Sequence, residues 1–329
     1  AGPFITYVPG PGFAGAWMLG AAVLGVASVS DGGGAVPTDG PQPPDEEPQP
    51  EPLPSTMVRG QVTAGPVIEG NDLYIKAFQA DGVTPIGDAV KVDAQGRFAL
   101  NLGRYTGVVI LRTVNAGGQP DHQDEATVSP QDLLETLLAV GVADGADLTL
   151  NLNALTTIVA LKAGVQAQEA ANSREITAAD LAPLYAGVAQ AFGLDGVDIA
   201  SLVAVTTVNP AGQANSAYNL ADGLGDGEKL GALLAAFSGA QQVLGSGVLA
   251  QTAEQLALGA GGVRLGSAAL DLLLEGAQQS AADTTAPDEQ SLTAVVSDLT
   301  QQGNQAGLGI DPVGAGNVCL LYTSPSPRD

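Results

Sequence analysis

Cysteine, histidine and basic residues are all scarce in this chain. Cysteine occurs once, at Cys319, and histidine once, at His122. The chain contains only 11 Lys and Arg residues but 35 Asp and Glu residues, which gives a net charge of -24. Binding to nucleic acid or to anionic lipid depends on clustered Lys and Arg, so we expect no nucleic-acid partner.

Aromatic residues make up only 4% of the chain, while Ala, Gly, Val and Leu are abundant. The cores must therefore be built from small aliphatic side chains, and we expect domains of moderate stability. The acidic residues are spread along the chain instead of forming one terminal run. This distribution is typical of a solubilising surface, and the alternative is a surface that binds divalent cations.

Residues 319–329, Cys-Leu-Leu-Tyr-Thr-Ser-Pro-Ser-Pro-Arg-Asp, resemble a translated DNA-sequencing adapter. The alternative is a natural Pro/Ser tail. Artefactual segments are set aside before fold reasoning. The rest of the chain has no cysteine, which excludes a disulfide framework, a thiolate metal site and a cysteine nucleophile. We expect that the natural chain continues beyond Val318 and that Ala1 follows a processed or missing start.

Residues 1–30 form an uncharged segment, and residues 13–29 are its most apolar part. As a helix, residues 13–29 would span roughly 26 Å, slightly less than a ~30 Å hydrocarbon layer. Three interpretations stay open: a transmembrane or envelope-embedded segment, the remnant of a signal sequence, and a non-spanning apolar stretch. We expect membrane contact through residues 13–29.

Residues 31–56 form a linker that is rich in proline and acid. Such a composition cannot bury a core and favours extended polyproline II structure, so we predict a disordered spacer. Its segment from Pro37 to Pro54 would reach roughly 55 Å at about 3.1 Å per residue. The alternative is a proline-rich recognition segment.

Residues 57–120 carry the alternating pattern of short β-strands. Leu73, Ile75 and Ala77 alternate with more polar neighbours, and residues 108–111 read as a buried strand. Turn residues separate these runs at intervals typical of an antiparallel sandwich. The pattern predicts a small β-sandwich.

The segment 92–102, Val-Asp-Ala-Gln-Gly-Arg-Phe-Ala-Leu-Asn-Leu, resembles carboxypeptidase-regulatory-like and related Ig-like modules of bacterial surface proteins. The resemblance implies an Ig-like or transthyretin-like sandwich. It also implies a tight hairpin in which Gly96 takes a positive φ and Phe98 enters the core. Modules of this kind are spacers or binding scaffolds.

Residues 121–318 are predicted to form an all-α domain of about six helices. Ser129–Asp132 and Thr177–Asp180 have the composition of helix starts. Apolar residues then follow at helical spacing. The predicted helices contain residues 133–138, 155–161, 181–192, 230–237, 270–274 and 292–299.

Three stretches, residues 150–157, 188–195 and 233–239, resemble a helical module that follows Ig-like domains in long bacterial adhesin-type proteins. The apolar start and the acidic, proline-rich spacer resemble the beginning of such proteins. The resemblance implies an exported protein of the cell envelope or cell surface. The chain departs from the pattern because it contains no run of repeated domains.

Residues able to carry chemistry are few. His122 lies in Asp121-His-Gln-Asp-Glu125, which we interpret as a solvated polar loop. Asp222, Asp226 and Glu228 form a candidate calcium site, because Ca²⁺ prefers carboxylate and carbonyl oxygens. The competing interpretation is a turn that caps a helix. We expect no enzyme activity and no cofactor other than this candidate calcium.

The sequence therefore predicts a fragment of an exported bacterial cell-surface protein that acts as a structural or adhesive scaffold. Its ligand, a protein or a glycan, would bind modules outside this chain. The alternative is an envelope-anchored solute-binding or hydrolytic protein that acts through its helical domain. A concave pocket with convergent polar groups would favour that alternative.

Overall fold

The structure is a computed structural model that describes residues 55–168, 170–219, 223–259, 262–285 and 291–306. All of these residues belong to the compact unit Pro52–Asp329. The apolar segment 1–30, the linker up to residue 54 and the tail 319–329 lie outside the described residues. The structure therefore does not test the predicted membrane segment or the predicted disordered spacer, and both stay predictions.

Two sheets form the β part of the unit. The strands are β1 (Met57–Gln61), β2 (Leu73–Phe78), β3 (Pro85–Lys91), β4 (Arg97–Asn101), β5 (Gly107–Asn115), β6 (His122–Asp124), β7 (Ser129–Gln131), β8 (Leu138–Ala143) and β9 (Leu148–Thr149). One sheet has the order β3-β2-β5-β8 and the other has the order β4-β1-β9. All neighbouring pairs are antiparallel except β1 and β9, and β6 pairs with β7 in a separate two-stranded ribbon.

The resemblance implied a hairpin at residues 92–98, but the turn there connects β3 to β4, which lie in different sheets and do not pair. The turn itself has the geometry expected of Gly96 and Phe98. Asp93 accepts hydrogen bonds from the amides of Gln95 and Arg97, at 2.9 and 2.7 Å. Gly96 has a φ of 78°, and a Cβ there would lie 2.6 Å from the carbonyl oxygen of Val62. Phe98 is buried in the core. Both expectations for this turn are confirmed.

Six helices lie in the described part of the chain. They are α1 (Ala154–Ala163), α2 (Ala178–Ala191), α3 (Asp226–Leu244), α4 (Val248–Gln255), α5 (Ser267–Gln279) and α6 (Leu292–Ala306). Five of the six predicted helices are confirmed, and α4 was not predicted. The Thr177–Asp180 start is confirmed too, because Asp180 accepts hydrogen bonds from both the amide and the hydroxyl of Thr177.

The prediction that residues 121–318 are all helical is wrong. Strands β6 to β9 lie after residue 120, and β10 (Leu256–Gly259) forms a hairpin with β11 (Gly262–Leu265). The predicted helix at residues 129–138 is absent. Ser129–Gln131 is strand β7, and Leu138 begins β8. The unit therefore mixes several antiparallel sheets with six helices.

Tertiary packing explains why residues 138–143 form a strand. β8 pairs with β5 over six positions, from Leu138 opposite Arg112 to Ala143 opposite Gly107. Five of its six side chains are buried. Helix α1 packs on this strand, and the Leu138 amide donates a hydrogen bond of 2.9 Å to the hydroxyl of Thr157. A strand covered on both faces reads as a continuous apolar run, which local periodicity cannot distinguish from a buried helix.

Helices α3 and α5 approach each other at the level of the backbone. A Cβ on Gly239 would lie 1.9 Å from the carbonyl oxygen of Gly276, and a Cβ on Gly276 would lie 2.2 Å from that of Ala236. Buried Ala and Leu side chains continue this contact into one core that joins strands and helices. The close approach fixes the helix pair against which the ribbon β6–β7 packs.

Candidate functional site

The segment Asp121–Glu125 is a buried polar segment. Its five side chains are between 0% and 5% exposed, and Asp121 and Glu125 are fully buried. The interpretation of this segment as a solvated loop is therefore wrong. β6 is covered because its backbone pairs with β7 and bridges to Val67. Side chains of α3 and α5 then close over it through hydrogen bonds.

Asp121 and Asp124 are buried with their oxygens bonded. Asp121 accepts hydrogen bonds from the amides of Asp72 and Leu133 and from the side-chain amide of Asn115, at 2.9 to 3.2 Å. Burial, together with hydrogen bonding to Asp132, raises the pKa of Asp121 to about 6, although the amides of Leu133 and Asp72 lower it. Asp124 accepts from the amide and hydroxyl of Thr127 with one oxygen. These bonds offset the cost of removing carboxyl groups from water.

His122 lies in the middle of β6 and is 5% exposed. Burial lowers its pKa, which favours the neutral imidazole, while the charges of Asp124 and Asp132 oppose that shift. Its Nδ1 atom is buried without a hydrogen-bond partner. A neutral, buried imidazole of this kind packs as part of the core.

Glu125 is the least satisfied of the buried carboxyl groups. One oxygen, Oε1, accepts hydrogen bonds from the amide and the hydroxyl of Thr207, at 2.6 and 2.8 Å. The other oxygen, Oε2, is buried without a partner. Burial raises the pKa of Glu125 to about 7, although the bonds from Thr207 lower it. Glu125 therefore changes its charge near neutral pH.

A cavity of about 350 Å³ is lined by Thr207, the hydrogen-bond partner of Glu125, but not by Glu125 itself. Thr207 forms part of its wall, and Asn215 and Tyr218 add two further polar groups. The remaining lining is mostly small or apolar and consists of Val128, Val208, Gly212, Ala214, Ala281, Ala282, Thr285 and Leu292. A mostly apolar cavity with a few polar groups is the usual form of a small-molecule site.

Tyr218 carries the unpartnered donor of this cavity. Its hydroxyl oxygen is buried and has no hydrogen-bond partner. Burial raises the pKa of Tyr218, and the negative charges of Glu125 and Glu228 raise it further. The hydroxyl is therefore protonated at neutral pH.

The candidate calcium residues have other roles where the structure describes them. Glu228 caps α3, because its carboxylate accepts the amide hydrogens of Gly225 and Asn219, each at 2.8 Å. These bonds lower the pKa of Glu228. Asp226 pairs with Lys229 at 2.8 Å, and Asp222 lies outside the described residues. Within the described ranges no group of three or more His, Cys, Asp or Glu side chains could hold a metal ion. The calcium site stays a prediction.

Among the described residues, no single helix is long and apolar enough to cross a membrane. The pair formed by α3 and α4 meets the length and composition criteria only when the two are taken together, and it bends by 111° at the break.

Sequence reasoning missed the cavity, the unpartnered hydroxyl of Tyr218 and the burial of Glu125. Glu125 stood in a run of polar residues, which locally indicates a surface loop. Tyr218 lies in a segment without helical or strand periodicity. No local signal indicates that Glu125 is buried, because its hydrogen-bond partner Thr207 lies 82 positions away in the sequence.

In comparisons with known proteins, no family model matches the chain, and no curated protein or solved structure matches it.

Proposed function

We propose that this chain is part of an exported bacterial cell-surface protein and acts as a structural or adhesive scaffold without catalysis. The observation that carries the proposal is the order of its parts. An uncharged apolar segment and a proline-rich acidic spacer precede a unit with a continuous aliphatic core. This order suits a module that is held away from a membrane.

The β part supports an Ig-like or transthyretin-like arrangement. Its two sheets, β3-β2-β5-β8 and β4-β1-β9, supply the two layers that a sandwich needs. The turn at Gly96 and the buried Phe98 agree with the module that the sequence resembles. Modules of this kind serve as spacers or binding scaffolds. The surface ligand, a protein or a glycan, would then bind modules outside this chain.

Surface exposure on intact cells tests the proposal. We expect an epitope placed in the exposed turn at Gly117 to be labelled, and to be removed by added protease, in unbroken cells of an expressing bacterium. A cytoplasmic protein in the same cells serves as the control for lysis. Labelling only after lysis would overturn the surface location.

Re-reading the source DNA beyond codon 318 with a different library chemistry tests the scaffold role. Further β-sandwich repeats in frame would support an adhesin-type protein. A stop codon soon after Val318 would overturn this role and direct attention to the helical part.

A second candidate function is solute binding through the helical part, with hydrolysis as its catalytic variant. The cavity beside Tyr218 favours solute binding specifically. It is concave, its walls are mostly apolar, and one of its polar groups has no partner in the protein.

A further inference from the structure

A second cavity of about 350 Å³ opens on the β part of the unit, and we call it the β1 cavity. The end of β1 with the residues just after it, the turn before β4 and the segment 204–210 contribute its lining. Among the described residues that line it, none is aromatic and Arg97 alone carries a charge. The polar lining residues are Gln61, Thr63, Gln95, Arg97 and Thr206.

Strand pairing places Gln61 and Arg97 side by side. The two residues are opposite each other in the antiparallel pair of β1 and β4, and directly opposed side chains lie on the same face of a sheet. The next residue, Phe98, is buried in the core, so Arg97 lies on the outer face. Arg97 is exposed and Gln61 is partly buried. The outer face of this strand pair therefore supplies a cation and an amide to the cavity.

The guanidinium group of Arg97 has no carboxylate partner among the described residues. Ion pairs between described residues involve Arg59, Arg174 and Lys229, and none includes Arg97. Asp93, the acid nearest to it in the sequence, accepts the backbone amide of Arg97 at 2.7 Å and does not line the cavity. A guanidinium group pairs with a carboxylate through two parallel hydrogen bonds, so a bound carboxylate would supply the missing partner.

The neighbouring polar groups can bond hydroxyl groups. Gln61 donates with Nε2 to the carbonyl of Gln95 at 2.9 Å, which leaves Oε1 to accept. Thr206 donates to the carbonyl of Val208 at 2.8 Å, and its oxygen can still accept. The side chain of Gln95 is exposed and makes no hydrogen bond to another described residue. A ligand hydroxyl both donates and accepts, so it matches this mixture of groups.

We propose that the β1 cavity binds a small hydroxylated carboxylate, the chemistry of a sugar acid, with its carboxylate on Arg97 and its hydroxyl groups on Gln61, Gln95 and Thr206. The proposal goes beyond the scaffold role, which places the surface ligand outside this chain. It depends neither on the surface location of the protein nor on the cavity beside Tyr218.

Other ligand classes match the β1 cavity less well. A neutral sugar leaves the charge of Arg97 without a partner, and a cationic ligand meets that charge directly. A polyanion such as nucleic acid needs several clustered basic residues, whereas this cavity offers one within a chain of net charge -24. A small ligand with a single negative charge is therefore the best match.

Titrations with three probes, followed by ligand-detected NMR, test the ligand class. The full chain is titrated at neutral pH and low salt with glucuronate, with glucose, which lacks the carboxylate, and with cyclohexanecarboxylate, which lacks the hydroxyl groups. We expect glucuronate to bind most tightly. Equal binding of glucose would overturn the role of the carboxylate, and equal binding of cyclohexanecarboxylate would overturn the hydroxylated class. Failure of all three probes to bind would overturn the site and leave the surface-labelling test of the proposed function unaffected.

Arg97→Gln tests the cation. The substitution removes a charge at an exposed position and keeps the backbone amide that bonds Asp93, so the fold should be retained. It should weaken glucuronate binding about tenfold or more, the worth of a hydrogen bond to a charged group. Arg104→Gln is the matched control, because Arg104 is exposed and does not line the cavity. Equal binding by wild type and Arg97→Gln would place the probe elsewhere and overturn the site.

Gln95→Ala tests the hydroxyl contacts. The carbonyl of Gln95 that accepts from Gln61 is retained, and only the exposed side-chain amide is lost. Glucuronate binding should weaken roughly two- to tenfold, the worth of one neutral hydrogen bond. An unchanged affinity for glucuronate would overturn the hydroxyl contact at Gln95.

Discussion

The hydroxyl of Ser238 donates a hydrogen bond of 2.6 Å to Oδ2 of Asp124, and both side chains are buried. This bond joins α3 to β6 across 114 positions of sequence. The same hydroxyl accepts a bond of 3.2 Å from the amide of Ala126. The Asp124–Ser238 pair is therefore a buried polar contact between the end of β6 and helix α3.

Replacing Ser238 by Ala should destabilise the protein by about 1–3 kcal/mol, because one oxygen of a buried carboxyl group then has no donor. Urea unfolding of both proteins measures the difference. Ser246→Ala, at an exposed turn after α3, is the matched control and should change stability by less than about 0.5 kcal/mol. Equal losses of unfolding free energy for the two substitutions would show that the hydrogen bond from Ser238 to Asp124 does not stabilise the protein.

Two tyrosines should respond in opposite ways to loss of their hydroxyl group. Tyr218→Phe removes a buried hydroxyl without a partner, so stability should stay the same or rise. Tyr185→Phe removes a hydroxyl that donates at 2.8 Å to the Val140 carbonyl, and it should cost about 0.5–1.5 kcal/mol. Urea unfolding in the absence of added ligand compares the pair. A larger loss for Tyr218→Phe would mean that its hydroxyl is bonded in the free protein.

Glu125 should make the protein less stable as the pH rises toward neutral. Burial raises its pKa in the folded state to about 7, from an ordinary value of 4.5. The unfolded chain therefore releases this proton first, and stability falls between these two pH values and then levels off. A shift of this size corresponds to about 3 kcal/mol.

The variant Glu125→Gln isolates this effect, because other acids titrate in the same range. The charge of Asp124 contributes to the raised pKa of Glu125. Five described carboxyl groups have lowered pKa values that act in the opposite direction: Asp81, Asp132, Asp147, Asp180 and Glu228. The difference in unfolding free energy between wild type and Glu125→Gln should decline across pH 4.5 to 7. A flat difference curve over this interval would contradict a raised pKa at Glu125.

Gly276→Ala should disrupt the contact between α3 and α5. The new Cβ would lie 2.2 Å from the carbonyl oxygen of Ala236, so the helices must separate, and we expect a loss of about 1–3 kcal/mol or more. Gly187→Ala in α2 is the matched control. Its Cβ would meet only the flexible end of Leu258, at 2.9 Å, and alanine favours the helix. Thermal unfolding of both variants provides the comparison, and a similar melting temperature for the two would contradict the close approach.

Local chemistry made part of the fold predictable. The turn before Phe98 needs two features: a side chain, Asp93, that accepts hydrogen bonds from backbone amides, and a glycine, Gly96, at positive φ. These residues lie within a few positions of one another. The start of α2 depends likewise on Thr177 and Asp180, three positions apart. Such signals are complete within a few residues, so the sequence alone indicates them.

The helix expected at residues 133–138 shows where local signals fail. Ser129, Pro130 and Asp132 have the composition of a helix start, yet Ser129 and Pro130 lie in β7. Pairing of β8 with β5 outweighs that preference, because it buries most of the strand and completes a sheet. Helix propensities amount to less than about 1 kcal/mol per residue, and tertiary packing overrides them.

By itself, the sequence determined the acidity of the chain, the aliphatic character of its core, the turn at Gly96 and five of the helices. Only the tertiary structure decided that the segment Asp121–Glu125 is buried and that Glu125 bonds to Thr207. The physical reason is the range of the interactions. Glu125 bonds to Thr207, 82 positions away, and a polar side chain is buried only when such distant partners replace its bonds to water.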